Sequence, residues 1–365
     1  MRATNGTDVG TSTGKTHGTR SRLRQAKRAV VTLAVTGLML SAAACGGSDS
    51  GGTAGGSESG SGDLSDKKVT LVHCGDVNPW CAVYNKTIID GLEAEGVSVD
   101  YLQDPFDVAL EIQNLNSAIA SRPDLILVSP TDDNSLVPSL QQASAQNIPV
   151  IINNSMPVAA AEDLVTATIN ADQASLGTFA AQNIVEGLQE IGVDSGNVIA
   201  ITGSDATATS GDRMEAFEAE LAKTPEYKLV EVRNGNWDPA ATGEIASQLF
   251  AQYESKGGIQ AAYGMADYMA NAIIQSAEQA GLPVGVDDDG LIVTGSNCFK
   301  VGIDNIRAGK QYGTATQTPS AEGEFVVERV LDFLRGDEID KVNLNSEDRV
   351  TAANLDEFAD ACSQA

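Results

Sequence analysis

Leu125-Ile-Leu-Val-Ser-Pro-Thr-Asp132 is four apolar residues followed by a serine, a proline, a threonine and an acid. Four apolar residues with no polar alternation read as a strand buried on both faces, and the Ser-Pro-Thr-Asp tail reads as its exit turn. Outward from this strand the pattern repeats. Downstream lie a helix over 135–146 and a strand over 149–152; upstream lie a helix over 107–121 with Asp107 as N-cap, and a strand over 97–102. Before these come a helix over 81–95 stopped by Gly96 and a strand over 69–73. The rhythm then restarts. Strands are expected at 165–169, 197–202, 227–233, 259–263, 291–294 and 313–316, with helices at 173–191, 210–223, 240–255, 268–280 and 321–334. Two successive β-α sets predict an α/β protein of two similar lobes with parallel sheets.

The 365-residue chain has a different character at its start. Arg20, Arg22, Arg24, Lys27 and Arg28 precede a short apolar run, Ala29–Leu40, and then Ser41-Ala-Ala-Ala-Cys45. The run is too short to span a bilayer, so residues 1–44 read as an export signal. Small residues before Cys45 resemble a bacterial lipobox, with Ala42 where leucine is usual. This predicts cleavage before Cys45, lipid on its thiol, and a chain anchored to the outer face of the cell membrane. Residues 45–65, rich in Gly and Ser, form the tether. Gly10–Thr16 (GTSTGKT) imitates a phosphate loop but is one residue short and follows no strand, so it is set aside.

Charge and rare residues restrict function. The chain has 23 basic and 50 acidic residues, and without residues 1–44 the balance is 16 to 49. Such a polyanion does not bind nucleic acid, and its membrane contact is expected only through the lipid. Of two histidines, His17 lies in the leader and His73 ends an apolar run. A multi-histidine metal site is therefore excluded, and neither metal nor cofactor is expected. Apart from Cys45, four cysteines remain for an oxidising compartment, with three possible pairings. Cys74–Cys81 closes a local loop and Cys298–Cys362 ties down the C-terminal tail; these are the favoured pairs.

In parallel sheets, ligands sit beyond the carboxyl ends of the strands. The exits here carry Asn78-Pro79-Trp80, Ser129–Asp132, Asn153-Asn154-Ser155, Asp212-Arg213, Asn236-Trp237-Asp238, Ala266-Asp267, Ser296-Asn297 and Gln317. Both tryptophans of the chain, Trp80 and Trp237, lie at exits, one in each lobe. Two indole plates ringed by amides suit the C–H faces and hydroxyl edges of a sugar or polyol. The competing reading makes each tryptophan a plug of its own core.

These features together resemble the type I periplasmic binding proteins of ABC sugar importers, the ribose-binding-like group. Asn78-Pro79-Trp80, Leu127–Asp132, Asn147–Ile151 and the order of the later units carry the resemblance, over residues 67 to 345. It implies two Rossmann-like lobes joined by three crossings near Ala171, Thr318 and Asn345. The N-terminal lobe is expected over 66–170 plus 318–345, and the C-terminal lobe over 171–317 plus 346–365. It further implies ligand contacts from Asn78, Trp80, Asn154, Ser155, Arg213, Trp237, Asp267, Asn297 and Gln317. Where the family carries charged clamps, this chain has Asn154-Ser155 and Asn297, so a neutral ligand is expected. A Cys74–Cys298 bridge would block opening and is predicted against. The expected role is a monomeric, non-enzymatic lipoprotein that delivers a neutral monosaccharide or polyol to an ABC permease and its ATPase. The alternatives are a sensory or autoinducer-binding protein of the same fold, and a secreted glycosidase, for which no paired carboxylate motif is found.

Overall fold

The computed structural model describes residues 63–363, apart from 78 and 288–289. The expected export signal, Cys45, almost all of the expected tether and Asn78 therefore lie outside the described residues. No helix among those described is long and apolar enough to cross a membrane.

Two six-stranded sheets organise the chain. The first contains β1 (Lys68–His73), β2 (Ser98–Gln103), β3 (Leu125–Val128), β4 (Val150–Asn153), β5 (Ala167–Ala171) and β11 (Val342–Asn345), in the order β11-β5-β4-β3-β1-β2. The second contains β6 (Gly196–Thr202), β7 (Tyr227–Asn234), β8 (Ala261–Gly264), β9 (Ile292–Thr294), β10 (Gly313–Ala315) and β12 (Arg349–Thr351), in the order β12-β10-β9-β8-β6-β7. All pairings within the sheets are parallel except β10 with β12. The fold is the two-lobed α/β arrangement read from the strand–helix alternation.

Burial explains the strand assignments. β3 and β4 are buried at every residue, as wholly apolar strands must be when helices cover both faces. The edge strands β2 and β7 alternate or are largely open, and their sequences carry the charges. Helices α1 (Pro79–Ala94), α2 (Val108–Ser121) and α3 (Val137–Ala145) connect the first sheet. Asp107 caps α2, its carboxylate accepting from Ala109 N at 2.9 Å and Leu110 N at 3.1 Å. In the second lobe α4 (Gln173–Glu190), α5 (Ala208–Leu221), α6 (Pro239–Tyr253), α7 (Asp267–Gln279) and α8 (Lys300–Arg307) play the same part.

The chain passes between the sheets three times. It leaves β5 for α4 at Asp172, returns from β10 through 316–318 into α9 (Pro319–Arg335), and crosses again through 346–348 between β11 and β12. A final helix, α10 (Leu355–Cys362), closes a small apolar cluster with Ile303, Ile306 and Val350. Four short elements (α8, β11, β12 and α10) were not anticipated. Disulfides join Cys74 to Cys81 and Cys298 to Cys362.

Candidate functional site

In each sheet the strand order reverses direction, between β1 and β3 and between β6 and β8. At such switch points the loops beyond the carboxyl ends splay apart and leave a crevice. The two crevices face each other and enclose a cavity of about 240 Å³. Its walls are the exits of β1, β2, β3 and β4 on one side and of β6, β7 and β9 on the other. Gln317, on the second crossing, also lines it.

The first wall is aromatic. Trp80 sits in the first turn of α1, buried, and stacks on Tyr84 one turn later at 4.4 Å between ring centroids. Its indole N–H donates to the Gln317 carbonyl at 3.3 Å, so the ring is fixed from the hinge side. The Cys74–Cys81 bridge spans the loop before it, and both cysteines line the cavity. His73 ends β1 beside Trp80 and Tyr84. Burial drives its pKa down to about 3, so the imidazole is neutral.

The facing wall carries Trp237, whose indole is half-buried and packs on the core cluster of its lobe. Asn236 and Trp237 both adopt left-handed backbone conformations, φ 52° and 59°. Asp238 directly follows as the N-cap of α6, accepting from Ala240 N at 2.7 Å, with Pro239 opening the helix. The indole passes so close to the end of β6 that a Cβ on Gly203 would lie 1.9 Å from its Cε2. Glycine at 203 is what lets the ring lie there. The Arg213 guanidinium lies over the ring, 5.5 Å from its centroid.

Between the aromatic walls runs a polar network. Arg213, fully buried on α5, donates to Gln173 Oε1 at 2.6 Å, Met265 O at 2.9 Å, Asn297 Oδ1 at 3.4 Å and Gln317 Oε1. Asn297 also donates to Gln317 Oε1, and Gln317 Nε2 donates to Asn154 Oδ1 at 3.2 Å. One connected chain of amides thus runs from the first lobe through the hinge to the second. Gly177 permits it: a Cβ there would lie 2.0 Å from Arg213 O, so α4 and α5 touch and Gln173 reaches the guanidinium. Asn154, Asn297 and Gln317 have φ of 51°, 80° and 91°. Backbone held in this region by non-glycine residues concentrates at ligand sites. Burial lowers the Arg213 pKa, but its donors meet neutral acceptors, and among the described residues no carboxylate lines the cavity.

Six of the expected contact residues, Trp80, Asn154, Arg213, Trp237, Asn297 and Gln317, are brought together on this cavity. Asn78 lies outside the described residues. Two others are turned away. Ser155 is buried and donates to Asp133 Oδ1 at 2.9 Å. Asp267 is buried beneath the floor, accepting from Phe299 N at 2.8 Å and Gln311 Nε2 at 2.7 Å. Burial pushes its pKa up to about 7, and its work is to hold the turn that presents Phe299. Phe106, Ser129, Thr131, Ser204, Thr209, Asn236, Tyr268 and Phe299 also line the cavity and were not singled out as contacts. Ser129, Thr131 and Asn236 were legible as strand-exit residues; Thr209 and Tyr268 are the second residues of α5 and α7.

Residues 69–338 match the family model described as the periplasmic binding protein domain. The chain belongs to the periplasmic binding protein family. Among relatives of this binding protein are the fructose import binding protein FruE of Bifidobacterium longum and the galactofuranose-binding protein YtfQ of Escherichia coli. FruE is 25% identical over 260 residues, covering 70% of this chain and 75% of that one. YtfQ is 24% identical over 223 residues, covering 61% and 68%. Among solved structures, the binding protein of the arabinose ABC transporter from Shewanella sp. ANA-3, bound to α- and β-L-arabinofuranose, superposes with a TM-score of 0.73. That match is 19% identical and covers 82% of this chain and 96% of the other. It shares the type I fold of two sheets with helices on both faces. The family is one of binding proteins, not enzymes.

Proposed function

We propose that this protein captures a neutral monosaccharide or polyol between its lobes and delivers it to an ABC permease. The observation that carries this reading is the cavity's chemistry. Two indoles and two phenylalanines supply flat apolar faces, while Asn154, Asn236, Asn297 and Gln317 supply donors and acceptors together. Among the described residues no carboxylate lines it to take a cationic ligand, and the Arg213 donors are engaged by the protein. A molecule of C–H faces and hydroxyl edges satisfies that surface without bringing a charge to be neutralised. The names of the relatives, fructose and galactofuranose binding proteins, and the arabinofuranose held by the structural neighbour are the reason to try these sugars first.

The lobes in this reading span 66–170 with 318–345, and 171–317 with 346–365, and close about the three crossings. Export through residues 1–44 and lipid on Cys45 keep the protein at the outer face of the membrane. Mass spectrometry of the N-terminal peptide from membrane fractions checks this; an unmodified Cys45 would refute it.

The function is tested by titrating residues 63–365 with D-fructose, L-arabinose, D-galactose, xylitol and myo-inositol, with amino acids and sugar acids as controls. Tryptophan fluorescence and melting temperature are the readouts. A saturable shift with one neutral polyhydroxyl compound is expected. A response confined to amino acids or sugar acids would overturn the reading.

A further inference from the structure

The N-terminus of α5 lacks a cap of its own. Thr207 stands at the N-cap position without a side-chain hydrogen bond, and the first turn contains no acidic residue. The first N–H groups of a helix need acceptors and favour negative charge. Here the acceptor comes from the other lobe. Asp133, on the loop between β3 and α3, accepts from Ala208 N at 2.6 Å. Its own backbone N–H donates to Ala206 O at 3.2 Å. Beside it Thr209 Oγ1, on α5, donates to Asn154 O at 2.7 Å. Ser155 fixes the carboxylate, donating to both oxygens at 2.9 and 3.2 Å.

We infer that Asp133 is an interlobe latch, a residue that caps α5 across the cleft when the lobes are closed and releases it when they part. Asp133 does not line the cavity, although Ala206, Thr207 and Thr209 do. It is therefore a positioning residue: it holds the loop that forms one rim of the site. The charged groups acting on it are carboxylates: Asp132 in its own loop, Asp212 on α5 and Glu111 on α2. A buried acid among acids is placed at a cost, and the helix N-terminus is the positive partner it meets there. With the lobes apart, water serves both groups, so the contact acts on closure rather than on either lobe alone.

The inference rests on the closing of two lobes and not on which ligand is held, so its test adds no sugar. Amide hydrogen exchange is followed on the unliganded chain for the wild type, Asp133→Ala and Asp133→Asn. In the wild type the Ala208 amide is expected to be protected. Asp133→Ala should speed its exchange roughly five- to tenfold, the size of a lost cap, while amides of β1 and β6 are unchanged. Asp133→Asn, which keeps a carbonyl acceptor, should retain most of the protection. Unchanged Ala208 exchange in Asp133→Ala would overturn the latch, and so would a wild-type Ala208 amide exchanging as fast as unstructured chain. Neither result depends on the sugar titration.

Discussion

Trp237 concentrates what single residues contribute to this site. Its left-handed backbone, the gap left by Gly203 and the Arg213 guanidinium over the ring all serve to hold one indole at the cavity. Because the ring is half-buried and packs on the edge of its core, Trp237→Ala should cost binding far more than folding. A central aromatic contact of this kind is worth at least ~2 kcal/mol, or about thirtyfold in Kd. Calorimetric titration of the variant with whichever sugar saturates the wild type checks this, alongside its melting temperature. A large fall in melting temperature with affinity unchanged would make Trp237 a core plug. At this scale the sequence was legible where a strand exit supplied one unmistakable side chain. It misled where neighbours share an exit. Asn154 faces the cavity while Ser155 turns to Asp133, and Asp267 turns under Phe299. Which of two adjacent turn residues faces the ligand depends on backbone angles such as the φ of 51° at Asn154, and residue type alone does not fix these.

Strands such as LILV at β3 are short, wholly apolar and bounded by turns, so the period of burial and the composition agree. The late elements lack that agreement. β11 reads Val-Asn-Leu-Asn with its two apolar residues exposed, and β12 has three residues. Their strand state comes from pairing with β5 and β10, which no local window contains. The helices α8 and α10 have eight residues each and are stabilised together through the Cys298–Cys362 bridge and a shared apolar cluster. An isolated helix of that length is not stable in water. Replacing both cysteines with alanine should therefore lower stability by about 2–4 kcal/mol and free α10, as read from urea unfolding and circular dichroism. Stability within error of the wild type would show that the apolar cluster alone holds α10.

Across the whole molecule the buried acids share one bias. Burial pushes Asp104, Asp133, Asp267 and Glu322 up to between about 6 and about 7, and Glu111 and Glu347 up to about 8. Each folded pKa lies above its unfolded value, so the folded chain binds more protons than the unfolded one across that interval. Stability must then fall as pH rises from the ordinary carboxylate range toward about 8. Self-repulsion in a chain of formal charge −27 acts in the same direction. The melting temperature is expected to be higher near about pH 5 than near about pH 8.5. A melting temperature that climbs steadily from acid to alkaline pH would contradict this. The third crossing bears on the order of assembly. β11 pairs with β5 far along the chain, Val342 against Thr168 and Asn345 against Ala171, and β12 then completes the second sheet only a few residues later. Each sheet therefore lacks its last strand until nearly the end of the chain has been made, and such distant pairings form slowly. Neither half can reach its final form before the last few dozen residues are available, so the two halves become complete together.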